Sequence, residues 1–114
     1  IIVVVPAHSV RTSAGAGVAA VAGSFLTTVG QVAAVELGPK GIRVNVLAVG
    51  PLEGEAPAAV AGAVPAGRLT TPEDVARACV LLALPESEHM NGAVIPVDGG
   101  YAVTKAAGGS PFAS

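Results

Sequence analysis

The chain opens on an uninterrupted apolar run, residues 1–5, in which Ile1-Ile2-Val3-Val4-Val5 precede Pro6. Consecutive β-branched residues without polar alternation are the pattern of a parallel strand covered on both faces, and a proline ends it. From residue 14 to residue 37 proline is absent, Ala and Val dominate, and Gly38-Pro39 follows, so a long helix over 14–37 is expected to stop there. Ile42, Val44, Val46 and Ala48, with Leu47 and Val49 between them, predict a second doubly covered strand over 42–49. Residues 50–71 are rich in Pro, Gly and Ala, carry Glu53 and Glu55, and read as a loop or lid. Thr71-Pro72-Glu73-Asp74 then offers an N-cap hydroxyl, a proline at the first helical position and carboxylates in the first turn. The helix expected over 72–84 places Val75, Ala78, Cys79, Leu82 and Ala83 on one face, and Pro85 closes it. A third strand over 93–97 follows the Asn91-Gly92 turn and ends at Asp98-Gly99-Gly100, leaving 98–114 as a loosely ordered tail.

Strands alternating with helices predict an α/β fold with a parallel sheet. A length of 114 residues fits one domain, taken as 1–114. With 52% hydrophobic residues and only 12% charged, much of the surface is expected to be covered by something. The formal charge of −2 and six scattered Lys and Arg residues make no basic stripe, so nucleic acid is not an expected partner. Cys79 is alone and reads as a small buried hydrophobe in a reducing, cytoplasmic setting. His8 and His89 have no second ligand at metal spacing, and no metal is expected. Beginning on a strand, without Met, is the pattern of a fragment or a processed chain.

No charged residue occurs between Thr12 and Val35, a length that would cross a hydrocarbon layer. Its Gly, Ser, Thr and Gln residues and its place between two strands favour a crossover helix instead, and no membrane is expected. A helix apolar all round needs more cover than one sheet provides, so a partner is expected on it.

Three segments in order, Glu36-Leu37-Gly38-Pro39-Lys40-Gly41-Ile42-Arg43-Val44-Asn45, Gly67-Arg68 with Pro72-Glu73-Asp74-Val75-Ala76, and Asn91-Gly92 through Val97-Asp98-Gly99-Gly100, resemble the C-terminal half of a short-chain dehydrogenase/reductase. The resemblance runs to about Tyr101 and implies the last three strands of a doubly wound Rossmann-like sheet, with NAD or NADP as cofactor. It also implies a Tyr general acid/base, a Lys four residues on that lowers the phenol pKa, and a Ser that orients the substrate oxygen. Counting back from Glu36 and Gly41–Asn45, the Tyr position reads Ala19 and the Lys position Gly23, a degenerate site. The Ser position falls near Pro6, with Ser9 as a shifted candidate. After the second strand the family has Pro-Gly and, four residues on, a Thr or Ser at the cofactor; here stand Val49-Gly50 and Gly54. Gly50 remains a cofactor-side candidate, Asn45 a structural one, and Tyr101 with Lys105 forms a literal YxxxK near the C-terminus. Gly15 and Gly17 lack the strand-turn-helix context of a dinucleotide-binding turn.

Two functions follow from the resemblance. One is a non-catalytic structural or partner subunit, pairing with itself or with a homologue through the helix 14–37 and the last strand. The other is a fragment of an active NAD(P)-dependent oxidoreductase of carbonyl or hydroxyl substrates.

Overall fold

Parallel strands can be joined only by crossovers, and this chain makes two. The computed structural model describes residues 1–7 and 15–104. Strand β1 (Ile2–Pro6) leads through helix α1 (Gly17–Leu37) to β2 (Asn45–Val49), and helix α2 (Pro72–Ala83) leads on to β3 (Val94–Val97). The sheet is parallel in the order β1-β2-β3, with Ile2 opposite Asn45 and Val46 opposite Val94.

Pleating sends Val3, Val5, Val46, Ala48 and Val94 to one face, where they form the apolar cluster beneath α1. Helix α1 meets them with Ala20, Gly23, Gly30 and Ala34, its buried positions. A Cβ at Gly30 would lie 2.9 Å from Val46 Cγ2, so the missing side chain sets how closely helix and sheet approach. Leu47 points to the other face and is fully buried there, where α2 packs on β2 and β3. Helices thus cover both faces of β2, which explains the absence of polar alternation in its sequence.

The expected element bounds shift at their ends for local reasons. Helix α1 starts at Gly17 rather than 14, because Gly15 takes φ +83° and Ala16 caps the helix without a side-chain hydrogen bond. The second strand starts at Asn45 rather than 42: Gly41, at φ +76°, ends a 3-10 turn over Gly38–Lys40, and the amide of Val44 donates to Asn91 Oδ1 (2.9 Å) instead of to a strand. Leu84 leaves α2 in an extended conformation because Pro85 follows it. Within 50–71 lies a 3-10 segment, Ala58–Ala63, and within 98–114 another, Tyr101–Val103; residues 105–114 lie outside the described ones.

One polar knot ties these elements together. Asn45, buried at the start of β2, donates from Nδ2 to the Met90 carbonyl (2.9 Å) and accepts from the Ala93 amide (3.1 Å). Asn91 accepts from Val44 and donates from Nδ2 to the Ala34 carbonyl of α1 (3.0 Å). Arg43 adds hydrogen bonds to the carbonyls of Leu82 (2.6 Å) and Met90 (3.0 Å), and Ser87 Oγ donates to Leu82 and Leu84 (both 2.8 Å). These groups answer carbonyls that the end of α2 would otherwise leave unpaired.

At its other end α2 is held by a capping box, with Thr71 Oγ1 accepting from the Asp74 amide (3.1 Å) and Asp74 accepting from the Thr71 amide (2.9 Å). Arg68 forms a bidentate pair with the same carboxylate at 2.6 and 3.0 Å. The Arg68 hydrogen bond, then the backbone bond from Thr71, hold the Asp74 carboxyl well below the usual carboxylate range.

Replacing Asn45 by Ala should destabilise the chain by about 2 kcal/mol, since it strands a buried amide and a buried carbonyl; urea unfolding followed by circular dichroism measures this. Because the folded pKa of Asp74 is depressed, its stabilisation is present above the unfolded value, near 4, and is lost as pH falls below it. The melting temperatures of the parent and of Asp74→Asn should therefore differ at pH 7 and converge as the pH approaches 2.

Candidate functional site

In open parallel sheets ligands bind beyond the carboxyl ends of the strands, and a large hollow among the described residues lies there. It is a cleft of about 810 Å³ at the ends of β1 and β2. Val4, Val5, Pro6 and Ala7 supply one side, Val49 and Gly50 the floor. Leu52, Glu55, Ala56 and Val60 close it from the segment between β2 and α2, Pro72 and Val75 from α2 itself, and Tyr101 from beyond β3.

The segment from 51 to 70 is a strap held at both ends. At its root Glu53 donates to the Thr70 carbonyl (2.8 Å) and Thr70 to the Pro51 carbonyl (2.9 Å), a parallel bridge between Leu52 and Thr70. Its far arm rests on the turn after β3, where the Ala66 amide donates to the Gly99 carbonyl (3.1 Å). A Cβ on Gly99 would stand 2.8 Å from Ala66 Cβ, and Gly99 takes φ +59°, so contact and conformation both call for glycine. Buried Asp98 organises that turn, accepting from the amides of Gly100 (2.9 Å) and Ala102 (2.8 Å). The same turn carries Tyr101 to the cleft.

Comparison with known proteins shows what this arrangement is similar to. Residues 1–102 match the family model described as enoyl-(acyl carrier protein) reductase. The chain belongs to the short-chain dehydrogenase/reductase family. Among curated relatives of that family, it is 39% identical over 101 residues to a probable 2,4-dienoyl-CoA reductase of Bacillus subtilis, covering 76% of this chain and 40% of the relative. It is 36% identical over 122 residues to the cis-4-hydroxycyclohexanecarboxylate dehydrogenase of Sinomonas cyclohexanicum, covering 82% and 49%. Among solved structures, a short-chain dehydrogenase from Bacillus anthracis superposes with a TM-score of 0.82 at 32% identity, over 93% of this chain and 45% of that one. The 3-ketoacyl-(acyl-carrier-protein) reductase of Brucella melitensis, solved with NADH, gives 0.84 at 26% identity, over 90% and 44%. The chain therefore spans less than half the length of these short-chain dehydrogenase/reductase relatives.

The structure distributes the expected site residues unevenly. Tyr101 and Gly50 reach the cleft. At Gly50 the amide donates to the Val97 carbonyl (3.0 Å), and a Cβ would lie 2.7 Å from Asp98 Cβ and 3.0 Å from Thr70 Oγ1, so packing by itself calls for glycine. Asn45 belongs to the polar knot and lies outside the cleft lining. Ala19 is exposed on α1, while Gly23, one turn on, is buried; neither lines the cleft. Gly54 occupies a left-handed turn at φ +90° with open space around its Cβ position. Ser9 and Lys105 lie outside the described residues.

Sequence reasoning missed Asp98 as the organiser of the Tyr101 turn, although an Asp before two glycines is a turn signal with its own mechanism. It also left Glu55 without a role. Among the described residues no three His, Cys, Asp or Glu side chains gather as a metal site.

Gly50→Ala should lower the melting temperature by several degrees and reduce protection of Gly99–Val103 amides in hydrogen exchange, since Asp98 and its turn must move to admit a methyl group.

Proposed function

We propose that this chain is a short-chain dehydrogenase/reductase subunit without the family's proton relay, acting as a structural or partner subunit. The observation that carries this is Ala19 with Gly23, at the two positions the family resemblance gives to the Tyr and the Lys. Neither has an atom that titrates, and Gly54 supplies no hydroxyl where the family has one at the cofactor. The described residues thus keep strands and turns of the family fold, while the positions that the resemblance gives to the Tyr and the Lys hold no group that titrates. An NAD(P) fit is poor on this half of the site.

Helix α1 supports the partner role. Val18, Phe25 and Val32 recur every seven residues, Val21 and Val35 stand two such repeats apart with Thr28 between them, and all five are exposed. A seven-residue apolar repeat suits a second helix lying at a shallow angle. The occupant is a second copy of this chain or a homologue. Helix α1 is also long and apolar enough to cross a membrane by length and composition, with 22% of its apolar window buried. Its small residues packed on β1 and β2 support the soluble, cytoplasmic reading. On β3, contact with a partner would be by side-chain packing, because Pro96 stands at its exposed edge.

The second reading, a piece of an active NAD(P)-dependent oxidoreductase, is favoured by Tyr101 on the cleft wall, with Lys105 four residues on in sequence.

Calorimetric titration of NADH and NADPH into the purified chain, with its mass determined by light scattering in the same buffer, tests the proposal. No nucleotide binding by a dimer or hetero-oligomer supports the partner subunit. Tight binding, with reductase activity that disappears in Tyr101→Phe, overturns it. A detergent requirement for solubility would instead place α1 in a lipid layer.

A further inference from the structure

The polar knot contains a reactive pair of residues. In an asparagine-glycine dipeptide the backbone nitrogen of the glycine can attack the side-chain amide of the asparagine with little hindrance, because glycine has no Cβ to shield that nitrogen. Asn91-Gly92 is the one such pair in the chain. The other asparagine, Asn45, precedes Val46, whose branched Cβ crowds the same attack.

A single residue holds both reacting groups. The Gly92 amide, the nucleophile, donates to the Val44 carbonyl (2.8 Å). Asn91 Oδ1, on the carbon that would be attacked, accepts from the Val44 amide (2.9 Å). Val44 itself is buried, whereas Asn91 is exposed and within reach of water. The nitrogen that would leave, Nδ2, donates to the Ala34 carbonyl in the last turn of α1 (3.0 Å). Reaction therefore requires the knot to open, and the group it removes is the one that ties α1 to the knot.

We infer that Asn91 is a site of self-modification, converted to aspartate and isoaspartate at a rate set by how often Val44 releases it, and that conversion frees the end of α1. In the released state the Gly92 nitrogen gives its proton to solvent base and bonds to Asn91 Cγ. The Cγ–Nδ2 bond breaks, and Nδ2 takes a proton from water and leaves as ammonia. One water then opens the cyclic imide at either carbonyl, so that amide and water become acid and ammonia with no change of oxidation state.

The change runs one way. The acid has no N–H to offer the Ala34 carbonyl, and its charge stands at the C-terminal turn of α1, the negative end of the helix dipole. An isoaspartyl link also lengthens the backbone between the knot and β3.

Peptide mass spectrometry of the whole chain during incubation at neutral pH, folded and in concentrated urea, follows the conversion at Asn91. The unfolded chain should convert about ten- to a hundredfold faster, the ratio expected of a local rather than a global opening. Asn45→Ala, which removes two hydrogen bonds of the knot, should speed conversion of the folded chain by about tenfold. Low urea should raise the rate of the parent in the same direction, so the test stands even where that variant fails to fold. The converted chain, separated by its added negative charge, should lose hydrogen-exchange protection at residues 34–38. Equal rates in the folded and unfolded chains, a folded chain that does not convert, a rate unmoved by low urea, or unchanged protection at 34–38 overturns the inference.

Discussion

Two asparagine side chains, Asn45 and Asn91, hold the ends of four elements at one point beneath the sheet. Between them they bond to Ala34 on α1, to the residue before β2, to the turn after α2 and to the residue before β3. Backbone ladders alone would leave the Val44 and Ala93 amides and the Met90 carbonyl unmatched, because each lies just outside a regular element. An amide side chain offers a donor and an acceptor at once, so each asparagine can answer one carbonyl and one N–H. No apolar residue of the same size could do this. The cleft lies at the opposite ends of the same strands, with β1 along one side and the end of β2 as its floor.

What could be read from the sequence was whatever the chain encodes locally. The strands announced themselves by β-branched runs, and α2 by Thr71, Pro72 and Asp74 within four residues. The bounds that moved were those decided by distant partners: Val44 stays off the ladder because Asn91 takes its amide, and Ala16 is not helical because Gly15 turns the chain ahead of it. The site was legible as positions rather than as contacts. Counting from Glu36 located Ala19 and Gly23, but only coordinates show Asp98 filling the space above Gly50, where no side chain would fit. The segment from 51 to 70 read as a loop because its anchors, Thr70 on Pro51 and Ala66 on Gly99, join residues far apart in sequence.

Cover is distributed unequally in this fold. Strand β2 is enclosed between helices on both faces, and its middle residues are wholly buried. Helix α1 gives the sheet a narrow stripe of Ala and Gly and turns Val18, Phe25 and Val35 to the outside. Small residues permit the close approach seen at Gly30, but they bury little apolar area. The larger side chains, and most of the burial they could offer, stand on the helix face away from the sheet.

The two borders of the sheet differ as well. On β3 the carbonyls of Ala93 and Val97 accept from β2, so Pro96, between them in the alternation, turns its ring nitrogen to the outer border and offers no donor there. On β1 the carbonyl of Ile1 accepts from Asn45, so the amides of Ile2 and Val4 face outward and can pair. A stray strand meeting this chain therefore finds a template along β1 and a gap in the template along β3. Amyloid-like stacking needs both borders of each unit, because every added layer must offer a fresh border to the next. Pro96 takes one donor from the outer border of β3, so a layer added there would lack a rung of the ladder, whereas the Ile2 and Val4 amides of β1 both offer theirs.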